Sequence, residues 1–171
     1  MNMESEWTFR GDRILRVVWV SDMGISDNPA DVLITYSLGS CIGLTLFDPE
    51  VRVGGLLHSM LALSRMDKAK AEANPCMFTD TGATRLIQAV LDMGASKKRL
   101  VAKLAGAAAP LDTHNSFQIG ERNYTVLRKV LWKNGILIAG EDVGGRSPRT
   151  MSLYMDSGVT TIKSGGAEVA L

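Results

Sequence analysis

Residues 31–60 hold three strand-like runs, at 31–37, 41–47 and 52–60, and the last two are separated by Asp48-Pro49-Glu50-Val51. Aspartate followed by proline is the preferred opening of a type I turn. Two apolar runs joined by such a turn form a hairpin, read as having one apolar face and one face left open beside a thiol, and its register constrains the chain more than any other feature. Counting outward from a loop of those four residues puts Phe47 opposite Arg52 and Cys41 opposite His58, on one face, with Cβ atoms about 4.5–5.5 Å apart. Gly43 lies on the same face, where a strand glycine marks close approach of a backbone or ligand. Ile42, Leu44 and Leu46 point the other way.

Further along, the period changes. Ala83, Leu86, Ile87, Val90 and Leu91 recur at three- and four-residue spacing, which predicts a helix capped by Thr79 or Asp80 and ended by Gly94. A second helix is predicted over 120–133, with Leu127, Val130 and Leu131 inward and Asn134-Gly135 at its end. Short strands are expected at 17–20, 99–105 and 136–139. Met151, Leu153 and Met155 alternate with polar residues before Asp156-Ser157-Gly158, a hairpin signal leading into Val159–Lys163. Residues 21–30 and 63–76 read as loops. The count is about seven strands and two main helices, an α+β domain with helices covering a mostly antiparallel sheet system. Residues 1–171 are read as one domain, with about the first ten flexible.

With 171 residues and 46% hydrophobic content the chain can bury a substantial core. A net charge of +1 argues against nucleic acid or an anionic membrane as the main partner. No stretch approaches the about 18 apolar residues that span a bilayer. The polar start lacks a secretory h-region. Two cysteines are too few for a disulfide scaffold, so a reduced cytoplasmic protein is expected. Two cysteines and two histidines, widely spaced, match no zinc site. His114 reads as a solvated loop residue and Cys76 as a spare thiol. Gly144-Gly145-Arg146 reads as a turn between strands.

A thiol beside an imidazole has two readings. Cys41 can be a small core residue, as cysteines commonly are. It can also be a nucleophile whose proton His58 takes, with Gly39 and Ser40 presenting backbone N–H groups to an oxyanion.

The same residues resemble the CheD family of chemoreceptor glutamine deamidases. They are Thr35, Leu38-Gly39-Ser40-Cys41, Phe47-Asp48-Pro49 and His58, followed by Asp80 to Ile87, MGASKKRLVAKLAGAA at 93–108, IGERN at 119–123 and GEDVGGRSPR at 140–149. The resemblance spans nearly the whole chain. It implies Cys41 as nucleophile, His58 as general base, Thr35 as the residue that orients the histidine, and no cofactor. It also implies hydrolysis of glutamine amides on methyl-accepting chemotaxis receptors through a thioester, a CheC-type phosphatase as a further partner, and a three-layer α/β/β sandwich. The chain departs from the family's usual pattern at Ser59-Met60-Leu61-Ala62, at Lys103-Leu104-Ala105-Gly106-Ala107-Ala108, and at Pro148. A regulatory binding module and an acyl-transferring relative are the other function classes.

Overall fold

A computed structural model describes residues 7–109 and 118–171. His114 lies outside them. Among the described residues, one six-stranded sheet runs in the order β1 (Trp7–Arg10), β2 (Arg13–Val17), β4 (Asp31–Leu38), β9 (Arg149–Tyr154), β10 (Thr160–Ser164) and β11 (Ala167–Ala170). A five-stranded sheet runs β3 (Asp22–Ser26), β6 (Val53–Ser59), β5 (Ile42–Asp48), β7 (Val101–Gly106) and β8 (Ile138–Val143). Among the described strand pairs, β2–β4 and β7–β8 are parallel and the rest antiparallel. The short helix α1 (Lys68–Ala73) and the long helices α2 (Thr79–Asp92) and α3 (Ile119–Lys133) complete the fold.

The layers follow from which face each residue presents. Leu86, Ile87 and Val90 of α2 and Leu127 and Leu131 of α3 pack with Ile42, Leu44, Leu46 and Leu57 on one side of the five-stranded sheet. On its other side Phe47, Leu56 and Ala105 meet Leu33, Leu38, Met151 and Leu153 of the six-stranded sheet. This is the expected three-layer α/β/β arrangement. It also explains why every residue of β5 and β6 is buried, since both faces of those strands are covered.

The structure corrects several local expectations. The β5–β6 turn sits one residue later. Arg52 adopts φ 55° and donates its N–H to Asp48 C=O at 2.9 Å, so Asp48 stays in the strand and pairs with Val53. Arg99 and the Ser96 N–H hold the Asp48 carboxylate there, and the carboxyl is kept below its usual range. Residues 21–30 contain β3, and 63–76 contain α1. Four of the ten N-terminal residues, Trp7–Arg10, form β1. Helix α2 begins after Phe78, whose side chain cannot cap it, and the Asp80 carboxylate inside the first turn accepts from Ser64 and from Thr81 N–H.

Candidate active site

Strand β4 belongs to one sheet and β5 to the other, and the chain changes sheets between them. The β4–β9 pairing shifts between Thr35 and Leu38, and Ser37 takes φ 58°. Such a bulge bends a strand and re-aims the side chains beyond it. Thr35 therefore lies on the last regular stretch of one sheet, and Cys41 at the entrance to the other. His58, on β6, is fully buried and lies opposite Gly43.

Across the gap between the sheets, Thr35 Oγ1 stands 2.7 Å from His58 Nδ1. The same hydroxyl donates to Val18 C=O at 2.7 Å. A threonine hydroxyl has one proton. Since Val18 receives it, Nδ1 carries the imidazole's hydrogen and donates it to Thr35. Nε2 is left with its lone pair, and it is buried with no hydrogen-bond partner among the described residues. Burial depresses the His58 pKa to about 4, so the ring is neutral at pH 7. A neutral imidazole with a fixed tautomer and a free Nε2 is a base waiting for a proton.

Cys41 is half-buried and packs at the edge of the inter-sheet cluster, the side on which His58 meets Thr35. The corrected register changes their relation. His58 faces Gly43 instead of Cys41, so the two are diagonal neighbours and no hydrogen bond joins them. The shift is an even number of residues, which preserves the shared face. Burial pushes the Cys41 thiol up, opposed by a hydrogen bond from its own backbone. Cys41 C=O accepts from Ala107 N–H, and Gly39 C=O from Ala108 N–H, both at 2.8 Å. A Cβ at Gly106 would lie 2.4 Å from Cys41 O, so residue 106 must be glycine for this strap to approach.

Two of the glycines singled out from sequence have other work. Gly39 N–H is taken by Ser37 C=O at 2.9 Å, which removes it as an oxyanion donor. Gly43 does not open a face to a ligand. A Cβ there would lie 2.9 Å from both Leu38 and Met151, so it permits close packing of the sheets. Ser40 lies beside Cys41, with its carbonyl bonded to Asn123.

Comparison with known proteins agrees with the motifs. The profile of the family described as CheD chemotactic sensory transduction matches residues 60–164. The chain belongs to the CheD family. A "Probable chemoreceptor glutamine deamidase CheD" from Solibacter usitatus is 46% identical over 155 residues, covering 91% of this chain and 92% of that one. A "Probable chemoreceptor glutamine deamidase CheD 1" from Syntrophus aciditrophicus is 47% identical over 150 residues, covering 88% and 94%. The solved structure of Bacillus licheniformis hypothetical protein YfiH superimposes with a TM-score of 0.45 at 18% identity, over 71% of this chain and 49% of that one.

Sequence reasoning on this CheD chain missed several residues around the site. Val18 was read as part of a strand, yet its carbonyl receives the Thr35 proton. Arg149, from the GEDVGGRSPR motif, is buried between the sheets. It bonds Asp142 at 2.9 Å and Ser147 C=O at 3.2 Å, with Gly106 C=O at 3.5 Å, and so supports the strap over Cys41. The signal for Arg149 was its place in the GEDVGGRSPR motif, since side-chain periodicity does not register its burial. Cys76 is buried with its carbonyl bound to Ser59 Oγ at 2.8 Å. No cluster of three or more His, Cys, Asp or Glu side chains suited to a metal occurs among the described residues.

Proposed function

We propose that this chain hydrolyses glutamine side-chain amides on chemoreceptors to glutamate, with Cys41 as nucleophile, His58 as base and Thr35 as the residue that orients His58. The observation that carries the reading is the Val18–Thr35–His58 chain of hydrogen bonds, which fixes Nε2 as acceptor on the face shared with Cys41. Membership of a family whose curated relatives are named chemoreceptor glutamine deamidases supplies the substrate class.

The steps balance without a cofactor. His58 Nε2 takes the Cys41 proton, and the sulfur attacks the carboxamide carbon. Collapse of the tetrahedral adduct breaks the C–N bond, and His58 passes its proton to the departing ammonia. Water, deprotonated by His58, then cleaves the thioester, giving glutamate and returning the proton to Cys41. Because both groups are neutral at rest, the thiolate forms as substrate arrives.

A protein-borne glutamine suits the surroundings better than a free amino acid. Exposed Trp19, Val20 and Met60 lie within two residues of Val18 or His58 along the chain, and in this reading they form an apolar rim for a receptor surface. A CheC-type phosphatase would dock on the same rim and compete with receptors. No helix among the described residues is long and apolar enough to cross a membrane.

The test is peptide mass mapping of a glutamine-containing receptor signalling fragment incubated with wild type, Cys41→Ala, His58→Ala or Thr35→Val. Site-specific conversion of Gln to Glu is expected with wild type. Loss of about 10⁴-fold is expected in the first two variants, and of about a hundredfold in Thr35→Val, whose imidazole loses its orienting partner. Full turnover by Cys41→Ala would refute the thioester route.

A further inference from the structure

The β5–β6 ladder ends at the pair Ile42 and Ser59, so Cys41 and Met60 lie one residue beyond it. One buried amide spans them. Asn123 of α3 is fully buried and donates from Nδ2 to Ser40 C=O at 3.0 Å and to Met60 C=O at 2.9 Å, while its Oδ1 accepts from Thr79 Oγ1 at 3.2 Å. These partners fix the amide's orientation, because two carbonyls can be met only by the NH₂ group. The same helix touches the strap over Cys41 one turn earlier. A Cβ at Gly120 would lie 2.6 Å from Ala107 C and O, next to the N–H groups that hold Cys41 and Gly39.

The Ser40–Cys41 peptide is trans, so its C=O and N–H point in opposite directions. With Ser40 C=O drawn toward α3, the Cys41 N–H is turned away from the helix. It makes no backbone hydrogen bond among the described residues. Its partner is its own sulfur, and once that sulfur has attacked, the N–H can pass to the oxyanion forming at the attacked carbon.

We infer that Asn123 is a positioning residue: its amide holds the Ser40–Cys41 peptide so that the Cys41 N–H serves as the oxyanion donor, and ties that peptide to the chain end behind His58. The inference rests on the reading of Cys41 as nucleophile. It assigns the oxyanion role to residue 41 in place of Gly39 and Ser40. The Cys41 N–H also stabilises its own thiolate against burial, so loss of the amide should be visible in thiol reactivity without any substrate.

The experiment compares Asn123→Asp and Asn123→Ala with Thr79→Val and Thr79→Ser. Asn123→Asp keeps the size and removes both donors. Thr79→Val frees the amide to turn, and Thr79→Ser restores the hydroxyl. Three quantities are read: kcat and KM on the receptor fragment, the pH profile of iodoacetamide alkylation of Cys41 with Cys76 as internal reference, and the thermal midpoint. The Asn123 variants are expected to lose about a hundredfold in kcat with KM little changed. Their Cys41 alkylation should shift to higher pH while Cys76 does not move. Thr79→Val should lose about tenfold, as an indirect misplacement of the same amide, and Thr79→Ser should recover it. A folded Asn123 variant with full kcat and an unshifted Cys41 profile overturns the inference. So does a parallel shift of both cysteines, which would mean general loosening. If wild type leaves the fragment unchanged, the deamidase reading fails, and the alkylation profiles alone decide the positioning role. If the Asn123 variants do not fold, Thr79→Val with full kcat overturns it.

Discussion

The two faces of the five-stranded sheet are built on different terms. Toward the helices, Leu44, Leu46, Leu57, Leu86, Val90 and Leu127 fill an apolar layer. Toward the second sheet the layer is interrupted by Thr35, Thr45, His58 and Thr160, all buried. Each threonine there has a specified partner, as in the 2.9 Å pair of Thr45 and Thr160. His58 Nε2 is the exception, buried and unpaired among the described residues. Leaving a buried polar atom without a partner costs about 1–3 kcal/mol, so its persistence fits a group kept for a reaction. Asn123 of α3 apart, the helix side supplies stability, and the inter-sheet side gives up some of it to keep the His58 nitrogen unpaired.

The strongest challenge to that division is Leu86→Ala. It should lower unfolding free energy by about 2–5 kcal/mol in a urea titration, while kcat of the folded fraction stays at the wild-type value. A slowed kcat would mean that the apolar packing of α2, and not Asn123 of α3 alone, sets the geometry of the site.

Acid should act through the other face. Unfolded, the His58 imidazole binds a proton near pH 6.5; folded, it does so only at about 4. Between those values the unfolded chain carries the extra proton. Stability is therefore full above about pH 6.5 and falls by about 3 kcal/mol as pH drops to 4. Urea midpoints at pH 7 and 4.5 should differ strongly in wild type and much less in His58→Gln. Equal differences in both would place the acid sensitivity elsewhere.

A smaller effect sharpens the comparison. Gly43→Ala pushes a methyl against Leu38 and Met151, and should destabilise by about 1–3 kcal/mol in the same titration. Because those residues flank the segment that carries Cys41, activity should fall as well, unlike in Leu86→Ala. A destabilised Gly43→Ala with full kcat would show that the two sheets can part slightly without moving the thiol.

Parts of this architecture were readable from short-range pattern. Ala83, Leu86, Ile87 and Val90 marked one helix face, and α2 and α3 lie within a residue or two of their expected spans. Asp156-Ser157-Gly158 marked the β9–β10 hairpin. Cys41 and His58 were placed on one face, a conclusion that survived the register error because face depends only on odd or even spacing. The β5–β6 register itself was not readable, since Asp48 is held in the strand by Arg99, a residue far along the chain.

The motif resemblance pointed to Thr35 as partner of His58, and local sequence reading linked Cys41 with His58. Nothing along the chain, however, pointed to Val18 C=O behind Thr35, or to Asn123 bridging Ser40 and Met60. Side-chain periodicity is set by backbone geometry within a few residues, so a sequence carries it on its face. Which carbonyl meets which buried donor is set by how two sheets and a helix pack, and only the folded chain decides that.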